Sequence, residues 1–485
     1  MVSLVGCQTN SASPAVSRAN GSAAGISNNG STSGRDAAAK DAVAVDPWNI
    51  PDTPTAPESP ETRRQRAEAA LLRVGTMIPK LEKIRGLAFR HDIPREYQST
   101  ADFRQFVHRE IAKELPTAKA TDLSTSLHHL GLLVDAGNLA ELVEQAFTTQ
   151  AGAYYDPQQG KFFLVMVPDS ELLLDTMSAH ELTHGLQDQH FNLRGLLPDP
   201  TPKPVLNDDE VAARRFIAEG DATFTMFLFA LGSMMNSTQI DRKILRILND
   251  RLADFAAKSP QDMIKENASG FSTMDPEIKK SIDAMNDIPM TVLVPMIQSY
   301  TFGAKLVAAA FDRGGWAAVN ELYAHPPEST EQALHPVEKL LARRDRPQRV
   351  TLAISPSKEL ANLVLGELQW QIYFDMWVPS ARALASEGWG GDRVSVTRRK
   401  DGRLVARIAT AWDSPSDAQE FATAYEDSLR KRFPDAVGDP RQAGVERPAG
   451  AGKIFVRLLQ NKVFIVDGGD DVKDIDTLVS TTTVK

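Results

Sequence analysis

Apolar residues recur every three to four positions through much of the chain, and this spacing predicts a mainly helical protein. Between residues 61 and 150 it predicts four helices. One of them begins after Ser99 or Thr100, which can cap a helix, and it carries an apolar stripe formed by Phe103, Phe106, Val107 and Ile111. Residues 152–167 instead follow the pattern of a β-hairpin, with a turn at residues 156–160.

The rest of the pattern predicts an α+β protein in which helices predominate. Two long helices are expected at residues 170–190 and 208–230, and further helical segments extend to about residue 343. A helix at residues 360–386 is expected next, and then a tail in ββαββα order. We divide the chain where the pattern changes, into a tether at 1–60, a helical region at 61–150, a catalytic domain at 151–345 and a C-terminal α+β domain at 346–485.

The composition indicates a globular protein and argues against two kinds of partner. The chain has 485 residues, of which 42% are hydrophobic and 24% charged, enough for a sizeable apolar core. The formal net charge is −9, and no run of basic residues is longer than residues 398–400. We therefore expect no nucleic-acid partner. The longest strongly apolar stretch, residues 223–235, is shorter than the ~20 residues that cross a bilayer, so we expect no membrane-spanning segment.

Cys7 is the single cysteine, so the sequence allows no internal disulfide and no metal site built from several thiolates. The string Leu4-Val5-Gly6-Cys7 resembles a bacterial lipobox, at whose cysteine a lipid is attached, although only six residues precede it. A run rich in Ser, Asn, Gly, Ala and Pro then extends to about residue 60 as a tether. These features predict an extracytoplasmic protein, anchored by a lipid on Cys7 to a bacterial membrane in the periplasm or at the cell surface.

The strongest chemical signal is His180-Glu181-Leu182-Thr183-His184, an HExxH sequence within a segment of helical periodicity. One helical turn separates the two histidines, so both imidazoles lie on one face and can bind the same zinc ion. The adjacent carboxylate of Glu181 can then act as general base toward a zinc-bound water. We therefore predict that His180 and His184 are zinc ligands and that Glu181 is catalytic.

A catalytic zinc ion needs a third protein ligand and one position open to water, and two residues are candidates. His190 has the outer spacing of the pattern HExxHxxGxxH, but Gln187 stands where that pattern has a helix-breaking glycine, and on an unbroken helix His190 faces away. Glu219 lies in the next, apolar helix, where a carboxylate is costly unless it is paired or binds metal. We predict Glu219 as the third ligand of one Zn²⁺ ion. The alternatives are ligation by His190, or a Glu219 side chain that reaches solvent or pairs with Arg214 or Arg215.

These residues resemble the gluzincins, the thermolysin-like clan of zinc metallopeptidases, in which a second helix completes an HExxH site with a glutamate. The resemblance covers about residues 150–225 and implies a zincin-like core formed by a β-hairpin with an edge strand and by the active-site helices. The chain also resembles, from about residue 60 to its end, a group of bacterial, often lipoprotein, zincins that share the strings at 179–189 and 219–222. The family implies a peptide or protein substrate.

Two features depart from the gluzincin pattern. The interval between His184 and Glu219 is longer than in thermolysin-like enzymes, and Thr223 stands where they have an aspartate that supports a ligand histidine. Asp221 is a candidate for that supporting role. The hairpin agrees better with the family, because gluzincin-like enzymes bind extended peptides beside an edge strand. The groups of the hairpin that could pair with a peptide are Tyr154, Tyr155 or the backbone of residues 161–167. The alternative for the side chains is ordinary packing in the core.

The residue that stabilises the oxyanion in such a reaction is expected downstream. His335 lies in the polar segment 326–336 and is our candidate, because thermolysin-like enzymes use a second histidine in this role. The alternative for this segment is a helix start capped by Ser329 or Thr330. Tyr300 and Tyr323 are rivals of His335 for the catalytic role.

The leading hypothesis is a zinc metallopeptidase in which Glu181 assists the attack of a zinc-bound water on a peptide bond. The second is a non-catalytic, surface-tethered binding module with a structural zinc site, in which His190 or Asp221 would close the coordination sphere. Hydrolysis of a non-peptide amide, as in cell-wall material, is a third possibility.

Overall fold

The computed structural model describes residues 59–148, 152–168, 170–198, 206–239, 241–256 and 287–485. Over these residues the protein is α+β with helices predominating, as the periodicity predicts. Cys7, its lipobox-like surroundings and nearly all of the tether predicted at 1–60 lie outside the described residues.

Four helices build the N-terminal region, and serine side chains fix where two of them begin. Ser59 Oγ accepts the Thr62 N–H at the first helix, and Ser99 Oγ accepts the Asp102 N–H at the second, which confirms the predicted cap. The helices are α1 (Pro60–Arg85), α2 (Thr100–Glu114), α3 (Thr117–Leu130) and α4 (Leu139–Thr148).

A three-stranded sheet contains the predicted hairpin. β2 (Ala153–Asp156) pairs antiparallel with β3 (Lys161–Leu164), and β1 (Arg95–Tyr97) pairs parallel with the other side of β3. The strand order is therefore β1-β3-β2. Because β3 lies in the middle, its backbone is paired on both sides, and the edge strand beside the HExxH helix is β2.

The HExxH segment and Glu219 lie on two long buried helices, as predicted. In this part of the chain the described helices are α5 (Glu171–Phe191), α6 (Leu193–Leu196), α7 (Asp208–Met234), α8 (Arg242–Ala256), α9 (Met290–Ala324) and α10 (Thr330–Leu334). Ser329 Oγ accepts the Gln332 N–H and begins α10, which confirms the capping alternative for segment 326–336.

Helices α7 and α9 cross in direct backbone contact. A Cβ atom on Gly220 would lie 2.1 Å from the carbonyl carbon of Gly303, so this crossing requires a residue without a side chain. By length and composition α9 could also cross a membrane, but 78% of its most apolar window is buried inside the protein. We therefore interpret α9 as a core helix.

The C-terminal part consists of a π-helical turn (Pro336–Ala342), β4 (Val350–Thr351), β5 (Lys358–Leu363), α11 (Gly366–Trp377), a 3₁₀ turn (Pro379–Ala381), α12 (Arg382–Ser386), β6 (Trp389–Arg398), β7 (Leu404–Trp412), α13 (Pro415–Arg432), β8 (Gly438–Asp439), β9 (Gly444–Glu446), a 3₁₀ turn (Pro448–Gly450), β10 (Lys453–Leu459), β11 (Lys462–Gly469), α14 (Val472–Thr481) and β12 (Thr483–Val484). Seven of these strands form an antiparallel sheet in the order β5-β6-β7-β11-β10-β9-β8. The predicted ββαββα order is present as β6-β7-α13-β10-β11-α14, with the short strands β8 and β9 inserted between α13 and β10.

The prediction of one helix over residues 360–386 is wrong. Residues 358–363 form the edge strand β5, because they pair with β6 and this tertiary pairing overrides their local pattern. Pro379 then separates the remaining helical residues into α11 and α12, since proline cannot donate within a helix.

The described residues form two large apolar cores and a smaller third one. One large core joins α2, α3 and α4 to α11, α13 and the C-terminal sheet, with Phe103, Phe374 and Ile408 among its buried members. The other large core joins α1, the hairpin, α5, α7 and α9, with Leu182 and Phe224 among its members. The side chains of each large core come from more than one of the intervals divided at residues 150 and 345, so those boundaries stay predictions.

Candidate metal centre

Helices α5 and α7 bring His180, His184 and Glu219 to one point, and we call these three residues the metal triad. The Nε2 atoms of the two histidines lie 3.3 Å apart. Oε2 of Glu219 lies 3.3 Å from Nε2 of His180 and 3.5 Å from Nε2 of His184. The three side chains are buried and could hold a metal ion. The predicted choice of Glu219 over His190 therefore agrees with the geometry.

Gln187 fixes the tautomer of His184. The amide nitrogen of Gln187 donates to the carbonyl oxygen of Ala218 at 2.9 Å, so its amide oxygen faces His184. Nδ1 of His184 donates to that oxygen at 2.8 Å. In the neutral ring, Nε2 of His184 then carries the lone pair and directs it toward the other two members of the triad, which is the form that binds a metal.

The metal triad is an electrostatically coupled group of buried side chains. Exposed fractions are 2% for His180, 0% for His184 and 4% for Glu219. Burial opposes the charged form of Glu219, but the two imidazoles outweigh it and hold the pKa of Glu219 well below its usual range. Burial alone would lower the pKa of His184, but Glu219 raises it to about 9, whereas burial lowers the pKa of His180. The negative charge of Glu219 therefore stabilises a positive charge, such as that of a proton on His184, at this point.

Glu181 lies beside the triad and is held by the hairpin. Its Oε2 atom accepts the backbone N–H of Tyr155 in β2 at 3.0 Å, and its side chain is completely buried. The hydroxyl of Tyr155 donates to Asp188 on the same helix at 2.9 Å. The edge strand thus fixes the position of the carboxylate that the sequence predicts to be the general base. Tyr154 instead packs against Phe106 and Phe163 in the core.

Asp221 does not support a ligand histidine; it is the acceptor of a buried network on the other side of α7. Arg85 donates to both of its carboxylate oxygens, at 2.8 and 3.0 Å, and Tyr323 donates to Oδ2 at 2.7 Å. Asn320 also accepts from Arg85. Asp221 and Arg85 are both 0% exposed, so this bidentate pair fixes α1 against α7 two residues beyond Glu219.

The remaining candidates lie in different places. His190 faces outward, and its Nε2 contacts the carbonyl oxygen of Ala88 at 2.7 Å. Tyr300 is next to the triad, with its ring centroid 5.6 Å from that of His180. Tyr323 contacts Asp221, as described above. His335 contacts Glu367 at 2.9 Å, which makes it part of a second polar cluster rather than a neighbour of the triad.

We call this second cluster the acidic junction, because it joins the start of α7 to the C-terminal part. Its members are Asp209, Thr330, Glu331, His335 and Glu367. Asp209 lies ten residues before Glu219 on α7, which places the two levels about 15 Å apart along the helix at the usual rise of 1.5 Å per residue. Thr330 donates to Asp209 through its backbone N–H and its hydroxyl. Lys339 pairs with Glu331 at 3.0 Å.

Sequence reasoning missed Gln187 and Arg85 as parts of the site. In the sequence, Gln187 is noted only as the residue in place of a glycine. Its position one turn after His184 is nevertheless a signal that it can reach that ring. Arg85 is separated from Asp221 by 136 positions, and no local pattern connects them.

Comparison with known proteins identifies one family model, a domain of unknown function (DUF8575), which matches residues 351–479. The match covers the whole seven-stranded C-terminal sheet and leaves the metal triad outside. No curated protein and no solved structure matches the chain.

Proposed function

We propose that the chain is a zinc-dependent metallopeptidase that binds one Zn²⁺ ion at the metal triad. The observation that carries the proposal is the triangle of ligand atoms, whose sides are 3.3, 3.3 and 3.5 Å. In a tetrahedral zinc site with bonds of about 2.0–2.1 Å, two ligand atoms lie about 3.3–3.4 Å apart. Two imidazoles and one carboxylate are also a donor set that zinc hydrolases use.

Three protein ligands favour a hydrolase over a closed structural site. A structural zinc site has four protein ligands, whereas a catalytic site keeps one position for substrate or water. The two candidates for a fourth ligand have other partners: His190 contacts Ala88, and Asp221 pairs with Arg85. Within the described part of the chain, the metal-binding group has three members.

Zinc bound there would supply a Lewis acid that activates water and polarises a carbonyl group. Glu181 would accept the proton released from that water and return it to the leaving amine nitrogen. The N–H of Tyr155 keeps the Glu181 carboxylate in place for both transfers. Tyr300 is the hydroxyl-bearing candidate closest to a ligand ring, so we propose it, in preference to His335, as the group that stabilises the oxyanion.

The test is a pair of matched substitutions on α5. Glu181→Gln should retain zinc but lower the hydrolysis of unfolded casein by about 100- to 10,000-fold, the usual contribution of a general base. Glu171→Gln, in the exposed first turn of the same helix, should leave both properties unchanged. Zinc content is measured by atomic absorption. Unchanged hydrolysis in the Glu181 variant would contradict the mechanism.

The second candidate is a binding module with a structural zinc ion. The deep burial of the three ligands favours it, because structural metal sites are shielded from water. The same experiment separates the two candidates. A wild-type protein that binds one zinc ion, gains thermal stability from it and hydrolyses neither casein nor a peptide library would support the binding module.

We also propose that Cys7 is lipidated and that the protein works outside the cytoplasm. This rests on the lipobox-like string and the polar run that follows it. Feeding bacteria an alkyne-tagged fatty acid should label the wild-type protein, and Cys7→Ser should remove the label. Equal labelling of both proteins would reject the anchor.

A further inference from the structure

An apolar cavity of about 90 Å³ lies where the C-terminal part meets α3, α4, α7 and α9. Most of its lining side chains are aliphatic, and Val292 and Met296 of α9 are among them. Residues 363–365 line it from the C-terminal part. Among the described residues that line it there is no member of the metal triad, so this cavity, which we call the α7–α9 cavity, is separate from the metal centre.

The polar side chains that line the α7–α9 cavity differ in charge. Thr291 is one of them, and its hydroxyl already donates to the carbonyl oxygen of Leu132. The others are Asp208 and Arg215 of α7 and Gln369 of α11. Asp208 and Arg215 are seven residues apart, so they lie two turns, or roughly 10 Å, from each other on one face of α7. One wall of the cavity therefore carries a carboxylate at one level and a guanidinium at another.

The reach of the arginine narrows this separation. Long side chains on a helix lean toward its N-terminus, so we expect the Arg215 guanidinium to approach the level of Asp208. Both side chains are half-buried, so their charged groups can meet a bound molecule where the cavity opens. A molecule that carries a positive and a negative group on neighbouring atoms fits this arrangement.

Gln369 gives an independent sign that a ligand belongs in the cavity. Its side chain is 4% exposed, and among the described residues no donor reaches its Oε1 atom. Buried polar atoms are nearly always paired in the functional state of a protein, because an unpaired one is costly. A molecule that satisfies Gln369 must carry an N–H or O–H group.

We propose that the α7–α9 cavity binds a free α-amino acid with a branched aliphatic side chain, such as leucine or valine. The side chain fills the apolar space, Gln369 and Asp208 accept hydrogen bonds from the ammonium group, and Arg215 donates to the carboxylate. The site needs no metal, so it stands apart from the proposed function. Because its walls come from α7, α9 and the C-terminal part, a bound amino acid holds these elements together.

Size and chemistry select this occupant over a hydrocarbon or a lipid. An apolar cavity that admits a benzene ring has a volume of about 150 Å³, so a cavity of about 90 Å³ suits a side chain of three or four carbons. A long acyl chain exceeds this volume, and an ionised fatty acid has no donor for Gln369 Oε1. An amino acid offers an ammonium group with N–H donors and a carboxylate for Arg215.

The test is calorimetry on the chelator-treated full-length protein, in which no metal at the triad can bind the ligand. Leucine should bind roughly 100-fold more tightly than glycine, the gain expected for burying four carbons. Two analogues each lack one charged group: 3-methylbutylamine has no carboxylate, and 4-methylpentanoate has no ammonium group. Each should bind about 10- to 100-fold more weakly than leucine, because each loses its charge-assisted hydrogen bonds.

Substitutions that fill the cavity or change its polar groups locate the site. Val292→Phe fills the apolar space and should weaken leucine at least 30-fold, whereas Val211→Phe, at a half-buried valine of α7 outside the cavity, should change it less than twofold. Arg215→Gln should weaken leucine about 10-fold and leave 3-methylbutylamine unchanged. Gln369→Leu should weaken leucine about 10-fold and leave 4-methylpentanoate unchanged. A general loss of folding cannot produce these two selective effects.

Four results would overturn the proposal. They are no binding of leucine, equal affinity for leucine and glycine, tighter binding of decanoate than of leucine, and tighter binding of the peptide Leu-Gly-Gly than of leucine. The third would indicate a lipid, and the fourth would indicate the N-terminus of a peptide. None of the four bears on zinc binding or on hydrolysis, so the proposed function is tested separately.

Discussion

The metal triad and the acidic junction are both buried, and both depend on α7, yet they are organised in opposite ways. In the triad one carboxylate faces two imidazoles, and all three ligand atoms lie within 4.8 Å of one another. In the acidic junction each carboxylate has its own partner: Asp209 with Thr330, Glu331 with Lys339 and Glu367 with His335. The junction forms no comparable metal-binding group within the described residues.

The difference shows that buried acidic side chains do not by themselves make a metal site. Lone pairs must converge on one point, and neighbouring groups must hold them there, as Gln187 does for His184. Where the partners diverge, burial instead disfavours ionisation: it raises the pKa of Glu331 to about 8 and the pKa of Asp209 well above its usual range. The triad is arranged to bind a cation, and the junction is arranged to hold two parts of the chain together.

The largest expected difference is between the same substitution, glutamate to glutamine, made in each of the two clusters. Glu219→Gln should weaken zinc binding on the order of 1,000-fold, because one of three ligands loses its charge. Glu367→Gln should leave zinc affinity unchanged, because Glu367 contacts His335 and Gln371 instead. The measurement is the zinc-dependent rise in melting temperature, which should persist in the second variant and disappear in the first. If both variants lost the zinc-dependent rise in melting temperature equally, the distinction between the two clusters would be wrong.

The next effect concerns the helix crossing beside the triad. Gly220→Ala should destabilise the protein by about 3 kcal/mol, because its new Cβ would meet the backbone of Gly303 and force α7 and α9 apart. Gly137→Ala is the control, since its Cβ would meet nothing within 4 Å. Urea unfolding measures both. A Gly220 variant as stable as the control would mean that the two helices are not in backbone contact.

A smaller effect is expected from the residue that orients a ligand. Gln187→Ala should weaken zinc binding about 10- to 100-fold, as the loss of a supporting hydrogen bond usually does. Gln189→Ala, two residues further on α5, removes contacts with Arg90 and His91 and should not change zinc affinity. Competition with a fluorescent zinc chelator measures both variants. Gln187→Glu, which keeps an acceptor for His184 Nδ1, should restore part of the affinity, and failure to do so would reject the orienting role.

The smallest effect is a pH dependence in the junction. The folded-state pKa of Asp209 is raised, chiefly by burial and further by Asp392 and Glu367, so its contribution to stability is greatest at low pH. That contribution is lost as the pH rises through the folded-state pKa. Asp209→Asn, which stays neutral, should therefore lose less stability than the wild type between pH 5 and pH 8. Parallel stability curves from urea unfolding would contradict this reasoning.

The sequence predicts most of the site because helical geometry is local. A spacing of four residues places His180 and His184 on one face, and the apolar surroundings of Glu219 single it out as the partner. The caps at Ser99 and Ser329 are equally local, and the structure confirms both. The hairpin and the order of the C-terminal elements also follow from periodicity.

What the sequence does not reveal depends on contacts between distant segments. Strand β5 has a helical pattern and becomes a strand because β6 lies beside it. The pair of Arg85 with Asp221 has no local signal, and the separation of His335 from the triad follows from how α10 packs on the start of α7. Asp221 pairs with Arg85 rather than with a ligand histidine, because residues two apart on a helix point in different directions.

The crossing of α7 and α9 through two glycines has a consequence for engineering. Beside Glu219 and Tyr300, the separation of the two helices is set by backbone contact between Gly220 and Gly303. Neither glycine has a side chain that could change its rotamer to adjust this separation. Substitutions of side chains elsewhere around the metal triad should therefore change its surroundings, while the separation of α7 and α9 at this crossing stays constant.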